Sequence, residues 1–193
     1  MVDDDLSMRE ALGSLFRAAG FRVECFESAR HFLSRPPTDS AACLVLDVRM
    51  PELSGLELQQ VLTGSSREVP IIFIAAHADV PMAVRAVKAG AVEFFPKPFR
   101  DDELLEAVCK ALEREQRALA KRAELAELRA RRARLSEREN QVLAHIALGR
   151  LNKQIAVDLG VSENTVKAHR RHIMKKMGAP NFAKLAFILA RLG

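Results

Sequence analysis

The apolar positions in the first half of the chain follow two different periods. Residues 43–46 (CLVL) and 71–74 (IIFI) are continuous apolar runs, which are typical of strands covered on both faces. Elsewhere apolar residues recur at helical spacing, as in residues 8–19 after a capping box formed by Ser7 and Glu10. Buried strands that alternate with helices predict an α/β domain with a doubly wound parallel sheet.

The predicted sheet has five strands, and the first is the least regular. Residues 22–26 alternate like a half-buried strand, and residues 92–95 form a short last strand. Only Met1 and Val2 precede the run Asp3–Asp5, so either the first strand is shortened or the given sequence starts too late to include all of it. Helices are predicted to start near residues 28, 54, 79 and 101, and the first of these stops at Pro36–Pro37.

The second half of the chain is helical throughout. Residues 104–135 contain no Pro or Gly, and leucines recur every seven residues in two sets with a phase slip: Leu105, Leu112 and Leu119, then Leu128 and Leu135. This pattern predicts one long helix, either a two-chain coiled coil with a stutter or a single solvated linker.

Four shorter helices follow, and they predict an all-α domain. Ser136 and Glu139 form a capping box, Asn152 can cap the second helix, and Ser162 can cap the third after the tight turn Gly160–Ser162. Two short helices joined by a glycine turn predict a helix-turn-helix. The predicted organisation is a domain at residues 1–115, a helical linker at 116–132 and a second domain at 133–193.

Charge separates the two halves. The chain of 193 residues has net charge +5; residues 1–109 contain 11 Lys and Arg against 17 Asp and Glu, a net of −6, and the remainder has 19 against 8, a net of +11. A basic domain predicts a polyanion partner, either nucleic acid or a membrane surface. No stretch approaches the roughly 18 apolar residues of a membrane span. The acidic start is unlike a secretion signal, so we expect a cytoplasmic protein without a membrane partner. Cys25, Cys43 and Cys109 lack metal-ligand spacing and are expected to be buried as small hydrophobic residues.

Charged side chains follow three of the predicted strands. The run Asp3–Asp5 follows the first strand, Asp47 ends the run CLVLD, and Lys97–Pro98 follows the last strand. Because the carboxyl ends of parallel strands meet at one edge, these groups are expected to cluster there. Clustered carboxylates repel one another and favour a divalent cation, for which Mg²⁺ is suited. A lysine beside them can pair with a carboxylate or with a phosphoryl group.

The stretches LDVRMPELSGLEL and KAGAVEFFPKPF, in this order and frame, resemble the receiver domain of response regulators over about residues 1–115, and PMAVRAVKAGAV is similar to the FixJ group. The resemblance implies that Asp47 is the phosphate acceptor. It implies that Asp4, Asp47 and the backbone carbonyl of Arg49 hold Mg²⁺, with Asp3 acting mainly through water. It also implies that Lys97 contacts the phosphoryl oxygens, that Pro98 follows a cis peptide and that Phe94 is a switch aromatic.

Position 75 departs from the receiver pattern. Receivers carry Thr or Ser at the end of the fourth strand, and here that position is Ala75. Because that hydroxyl couples the phosphoryl group to the switch aromatic, we expect weak switching. His77 is a conceivable substitute ligand, but an exposed loop histidine is the simpler interpretation.

The segment NKQIAVDLGVSENTVKAHRRHIMKKM is similar to the LuxR/FixJ DNA-binding domain, and the similarity covers about residues 133–193. It implies that the helix over residues 163–177 enters the major groove. Lys167, Ala168 and Arg171 would then face bases, and Thr165, Lys175 and Lys176 would mostly hold phosphates. The last helix would help dimerisation.

These resemblances predict a transcription regulator of the FixJ/NarL (LuxR-type) family rather than an enzyme. Its expected partners are promoter DNA, a sensor histidine kinase and, in the active state, a second copy of the chain, with RNA polymerase as a further candidate. The alternative is a phosphorylation-independent regulator whose receiver serves dimerisation or docking. An enzyme of the haloacid-dehalogenase type also uses Asp and Mg²⁺, but it needs a second Asp where this chain has Arg49.

Overall fold

The computed structural model describes residues 1–36, 38, 40–63, 69–76 and 79–192. They divide into two units, Met1–Leu119 and Ala120–Gly193. The expected stop at Pro37 lies outside the described residues. The helices and strands that begin in the first unit are α1 (Leu6–Ala18), α2 (Ala29–Ser34), β1 (Leu44–Asp47), α3 (Gly55–Thr63), β2 (Ile71–Ala75), α4 (Val80–Lys88), β3 (Glu93–Pro96) and α5 (Asp101–Ala133).

The sheet is parallel, with the strand order β1-β2-β3. Leu46 of β1 is paired with Phe73 of β2, which is paired in turn with Phe94 of β3. All residues of β1 and β2 are buried, as the two apolar runs predict. The burial expected for the cysteines is wrong, because Cys25 and Cys109 are exposed and Cys43 is half-buried.

The prediction of five strands is not confirmed, because the described residues form three strands and two isolated bridges. Val2 bridges Phe26 on one side and Leu46 on the other, both in parallel. Before the aspartate run the bridges form at one residue, Val2, and after the run the chain enters α1 at Leu6. Residues 22–26 also pair at a single position, Phe26, instead of forming a strand.

Helices cover both faces of the sheet. Along β1 and β2 the side chains alternate between two apolar clusters, so that Leu46 and Phe73 belong to one and Val45 and Ile72 to the other. The first cluster contains buried residues of α2, α3 and α4, and the second contains buried residues of α1 and α5. The doubly wound α/β architecture is therefore present.

The first helix begins differently from the prediction. Its N-cap is Asp5, whose carboxylate accepts hydrogen bonds from the backbone N–H groups of Ser7 and Met8. The expected capping box of Ser7 and Glu10 is wrong, because Ser7 already lies inside α1. The helix starts expected near residues 54 and 79 are observed, and Ser54 and Asp79 cap them.

The second unit contains α6 (Glu137–Ala147), α7 (Asn152–Leu159), α8 (Glu163–Met177) and α9 (Phe182–Leu192). The predicted capping box of Ser136 and Glu139 opens α6, and Ser162 caps α8. Asn152 is the first residue of α7 rather than its cap, which is Leu151, a residue without a side-chain acceptor. Gly160 ends α7 in the left-handed conformation (φ 65°), which an L side chain rarely adopts.

Helix α5 contributes to the core of each unit. Leu105 and Leu112 lie against the apolar cluster of the first unit, whereas Leu128, together with Leu135 two residues after the end of α5, is buried in that of the second. The phase slip between the two leucine sets therefore coincides with the change from one core to the other. None of the helices in the described part of the chain is both long and apolar enough to cross a bilayer.

Candidate functional site

Three charged side chains meet at the carboxyl edge of the sheet. The Nζ atom of Lys97 lies 2.8 Å from Oδ1 of Asp47 and 3.1 Å from Oδ2 of Asp3. Asp47 is the last residue of β1, Asp3 directly follows the bridging Val2, and Lys97 directly follows β3. Asp3 and Asp47 are 1% and 5% exposed, so Lys97 neutralises carboxylates that water reaches poorly.

Burial and hydrogen bonding oppose each other in this cluster. Burial raises the pKa of Asp3, although a hydrogen bond from the Asp5 backbone N–H and the ammonium of Lys97 both lower it. Burial lowers the pKa of Lys97, but its hydrogen bonds to Asp47 and Asp3 outweigh that effect and leave it raised. Lys97 is therefore a stable cation at neutral pH.

The two adjacent aspartates differ in their surroundings. Asp3 contacts Lys97, whereas Asp4 is exposed. Among the described residues, no group of three or more His, Cys, Asp or Glu side chains is close enough to hold a metal ion. Mg²⁺ needs only one or two carboxylates when phosphate oxygens and water complete its shell. The carboxylates of Asp3 and Asp47, which share Lys97, therefore fit that ion.

Backbone contacts fix the position of Asp47. Its N–H donates to the carbonyl of Val2 (2.9 Å), and its Oδ2 accepts from the N–H of Arg49 (2.7 Å). Gly55, at the start of α3, approaches so closely that a Cβ there would lie 2.2 Å from the carbonyl oxygen of Asp47. Our sequence analysis missed Gly55 and also Arg9, whose Nη1 donates to the carbonyl of Asp3 (2.7 Å). The only signal for Gly55 was its place beside the cap at Ser54.

The two residues predicted to act in switching, Ala75 and Phe94, lie on neighbouring strands, and Ala75 contacts the cluster. Ala75 ends β2, is 2% exposed, and accepts a hydrogen bond from the N–H of Lys97 (2.8 Å). The Phe94 ring is partly buried with its centroid 6.2 Å from that of Phe73. The Lys97–Pro98 peptide is cis, as the resemblance implies. His77 lies outside the described residues.

Helix α8 presents the basic surface of the second unit. Val166, Ile173 and Met177 are fully buried, and the opposite side of α8 carries exposed Lys167, Arg171 and Lys175. Ala168 is half-buried between them. The Thr165 hydroxyl lies 2.8 Å from the Ser162 hydroxyl at the start of the helix.

Two lysines of α8 form intramolecular ion pairs. Lys176 donates to Oε2 of Glu139 (2.7 Å), a buried residue of α6, and to the carbonyl of Arg134 (3.3 Å). Lys167 pairs with Glu163 one turn earlier (3.3 Å), on the exposed surface. A lysine ammonium has three donors, so Lys176 keeps one for another acceptor.

A parallel α/β sheet with a carboxylate–lysine cluster at its edge, followed by a basic helix-turn-helix, defines the class of DNA-binding response regulators. Residues 1–109 match the family described as response regulator receiver domain, and residues 133–189 match the bacterial regulatory proteins of the luxR family. The chain belongs to the response-regulator family with a LuxR-type DNA-binding domain.

Curated relatives and solved structures are similar to this chain over nearly its whole length. The chain is 48% identical to the response regulator protein TmoT of Ectopseudomonas mendocina, and the match covers 100% of this chain and 87% of TmoT. It is 39% identical to the transcriptional regulatory protein FixJ of Bradyrhizobium diazoefficiens, covering 100% of this chain and 94% of FixJ. The structure of the response regulator StyR superposes with a TM-score of 0.91 at 46% identity, covering 98% of this chain and 96% of StyR.

Proposed function

We propose that Asp47 accepts a phosphoryl group from a sensor histidine kinase and that this modification modulates dimerisation and promoter binding. The observation that carries the proposal is the meeting of Asp47, Asp3 and Lys97 at the sheet edge. A carboxylate oxygen of Asp47 would form a bond to phosphorus while the phosphorus–nitrogen bond of the kinase phosphohistidine breaks, and the imidazole leaves.

The remaining residues of the cluster would hold the incoming charge. Asp3, Asp4, Asp47 and the backbone carbonyl of Arg49 are the proposed Mg²⁺ ligands, with Asp3 acting mainly through water. Bound Mg²⁺ would neutralise negative charge on the phosphoryl oxygens. Lys97 would exchange part of its contact with Asp47 for a phosphoryl oxygen, because an ammonium pairs with either group.

Weak switching is part of the proposal. Ala75 lies at the end of β2, where it offers the phosphoryl group no hydroxyl, and the switch residue Phe94 lies on the adjacent strand. The second candidate function is a regulator that does not depend on phosphorylation and uses residues 1–115 for dimerisation or docking. The same alanine favours it.

The second domain, residues 133–193 after a linker at 116–132, would bind promoter DNA through α8. Lys167, Ala168 and Arg171 would face base edges, and Thr165 and Lys175 would hold phosphates. Lys176 would use its remaining donor for a phosphate while it stays bound to Glu139. A second copy of the chain and RNA polymerase are the proposed protein partners at the promoter.

The deciding experiment measures the intact mass after incubation with acetyl phosphate and Mg²⁺. The wild-type chain should gain one phosphoryl group and Asp47→Asn none, whereas Asp102→Asn, which removes an exposed carboxylate outside the cluster, should gain one. No gain in the wild type would favour the phosphorylation-independent function. Repeated turnover of a phosphate ester would instead indicate an enzyme of the dehalogenase type.

A further inference from the structure

One face of the last turns of α5 lies against α8 and α9. Glu124 and Leu128 are four residues apart and Leu128 and Arg131 are three apart, so all of them lie on this face. All of them belong to the second unit. Leu128 is 7% exposed within the apolar core of that unit. Glu124 pairs with both terminal guanidinium nitrogens of Arg191 on α9, one of them at 2.8 Å.

Arg131 contacts the carboxyl end of the DNA-binding helix. Its Nη1 donates to the carbonyl of Met177 (3.2 Å), the last residue of α8, while its Nη2 pairs with Glu127 (2.5 Å). Carbonyls at a helix end lack partners within the helix and carry partial negative charge, so a guanidinium stabilises them. A Cβ at Gly178 would lie 2.3 Å from Nη1, so the guanidinium in its present position occupies the space where a side chain of residue 178 would begin.

The same turn of α8 is held at a second point. Lys176 donates to the carbonyl of Arg134, which directly follows α5. Between the two anchored residues and the base-facing positions lies the exposed Lys175. A shift of this turn would therefore move a proposed phosphate contact and change the angle at which Arg171 meets the bases.

We infer that Arg131 is a positioning residue for DNA recognition, one that fixes the last turn of α8 without touching DNA itself. This inference rests on the proposed DNA-binding function. A positioning residue should affect the sequence that fits best more than sequences bound through phosphates alone, because base contacts depend on orientation and phosphate contacts depend mainly on charge.

The test uses the full chain, treated with acetyl phosphate and Mg²⁺, on two DNA probes. One probe is a duplex that the wild-type chain enriches from a random-sequence pool, and the other is a scrambled duplex of equal length. Arg131→Ala should weaken binding to the enriched duplex about ten-fold, the effect of losing one charge-assisted hydrogen bond, and binding to the scrambled duplex about two-fold or less. Arg131→Lys should restore part of the loss.

Arg132→Ala is the matched control, since it removes the same charge from an exposed position one residue further along α5. It should weaken both duplexes equally. Circular dichroism at the assay temperature confirms that each variant is folded.

The outcomes separate the inference from the function on which it rests. If the wild-type chain enriches no duplex, DNA binding and the role of Arg131 are both wrong. If a duplex is enriched but Arg131→Ala and Arg132→Ala weaken it equally, only the role of Arg131 is wrong. A salt slope lowered by about 0.9 in Arg131→Ala would show a direct phosphate contact and would also overturn the inference.

Discussion

The backbone of Asp47 lies so close to Gly55 that it leaves no room for a side chain at residue 55. A Cβ at residue 55 would lie 2.2 Å from the carbonyl oxygen of Asp47 and 3.1 Å from the side chain of Leu46. The N–H of Gly55 also donates to the carbonyl of Val48 (2.9 Å). The start of α3 is thereby held against the end of β1, next to the carboxylate proposed to be phosphorylated.

Gly55→Ala should therefore displace Asp47. Relieving the overlap requires a backbone shift, and we expect the unfolding free energy to fall by about 1–3 kcal/mol. Phosphorylation by acetyl phosphate should slow as the carboxylate moves. Gly90→Ala is the control, since its positive φ imposes strain but nothing lies within 4 Å of the added methyl. If both variants lose stability while keeping the wild-type phosphorylation rate, the contact does not position Asp47.

Ala75→Thr should strengthen the response to phosphorylation. The added hydroxyl can donate to a phosphoryl oxygen, and one hydrogen bond to a charged group should tighten phosphorylation-dependent dimerisation about ten-fold. Sedimentation velocity with and without acetyl phosphate measures the change. Ala75→Val is nearly isosteric with threonine and lacks the hydroxyl, so it should behave like the wild type. Complete conversion of the wild-type chain to dimers would contradict weak switching.

The ion pair of Glu139 and Lys176 should make stability depend on acidic pH. The hydrogen bond from Lys176 lowers the pKa of Glu139, with a further contribution from the N–H of Ser136. A lowered pKa means that Glu139 stabilises the fold above the ordinary value of 4.5, and that this stabilisation disappears as the pH falls through its lower folded value.

At pH 7, Glu139→Gln should lower the unfolding free energy by about 1–2 kcal/mol, because glutamine keeps the cap but loses the charge. The difference in unfolding free energy between Glu139→Gln and the wild type should shrink as the pH falls from 4.5 through the lower folded pKa of Glu139. Urea unfolding at several pH values measures it, with Glu137→Gln, an exposed residue of the same turn, as control. A difference that persists unchanged at low pH would rule out the ion pair as its cause.

Arg171→Ala and Lys175→Ala should separate base reading from phosphate binding. Loss of Arg171 should cost about 1–3 kcal/mol on the best duplex and relax the preference at one base pair. Loss of Lys175 should weaken all sequences alike and reduce the salt slope by about one. Titrations on matched and single-site mutated duplexes decide between them, and equal losses on every duplex for Arg171→Ala would remove it from base readout.

The sequence predicted the edge cluster better than the caps around it. Asp47 ends one strand and Lys97 follows another, and parallel topology alone brings such positions to one edge. Which of the adjacent residues Asp3 and Asp4 turns inward was not predictable, because it depends on where the chain leaves the sheet and enters α1. Asp5 rather than Ser7 caps that helix for the same reason.

The pattern of apolar and polar residues did not predict contacts between elements that are far apart in the chain. Gly55 looks like an ordinary helix start until α3 lies against β1. Periodicity places Lys176 on the polar side of α8, but its partner Glu139 is on another helix, 37 residues earlier. Helical spacing predicts which face of the helix a side chain occupies. The residue that it contacts on another element depends on the tertiary fold.

The burial of Leu128 has a practical consequence for dissecting this protein. A fragment cut at residue 133, where the similarity to the luxR family begins, would remove this leucine and uncover the apolar surface beneath it. The same fragment would also lack Arg131, whose guanidinium donates to the carbonyl of Met177 at the end of α8. A fragment that starts at Ala120 would retain both, so expression of the isolated DNA-binding half should begin about four helical turns upstream of the family boundary.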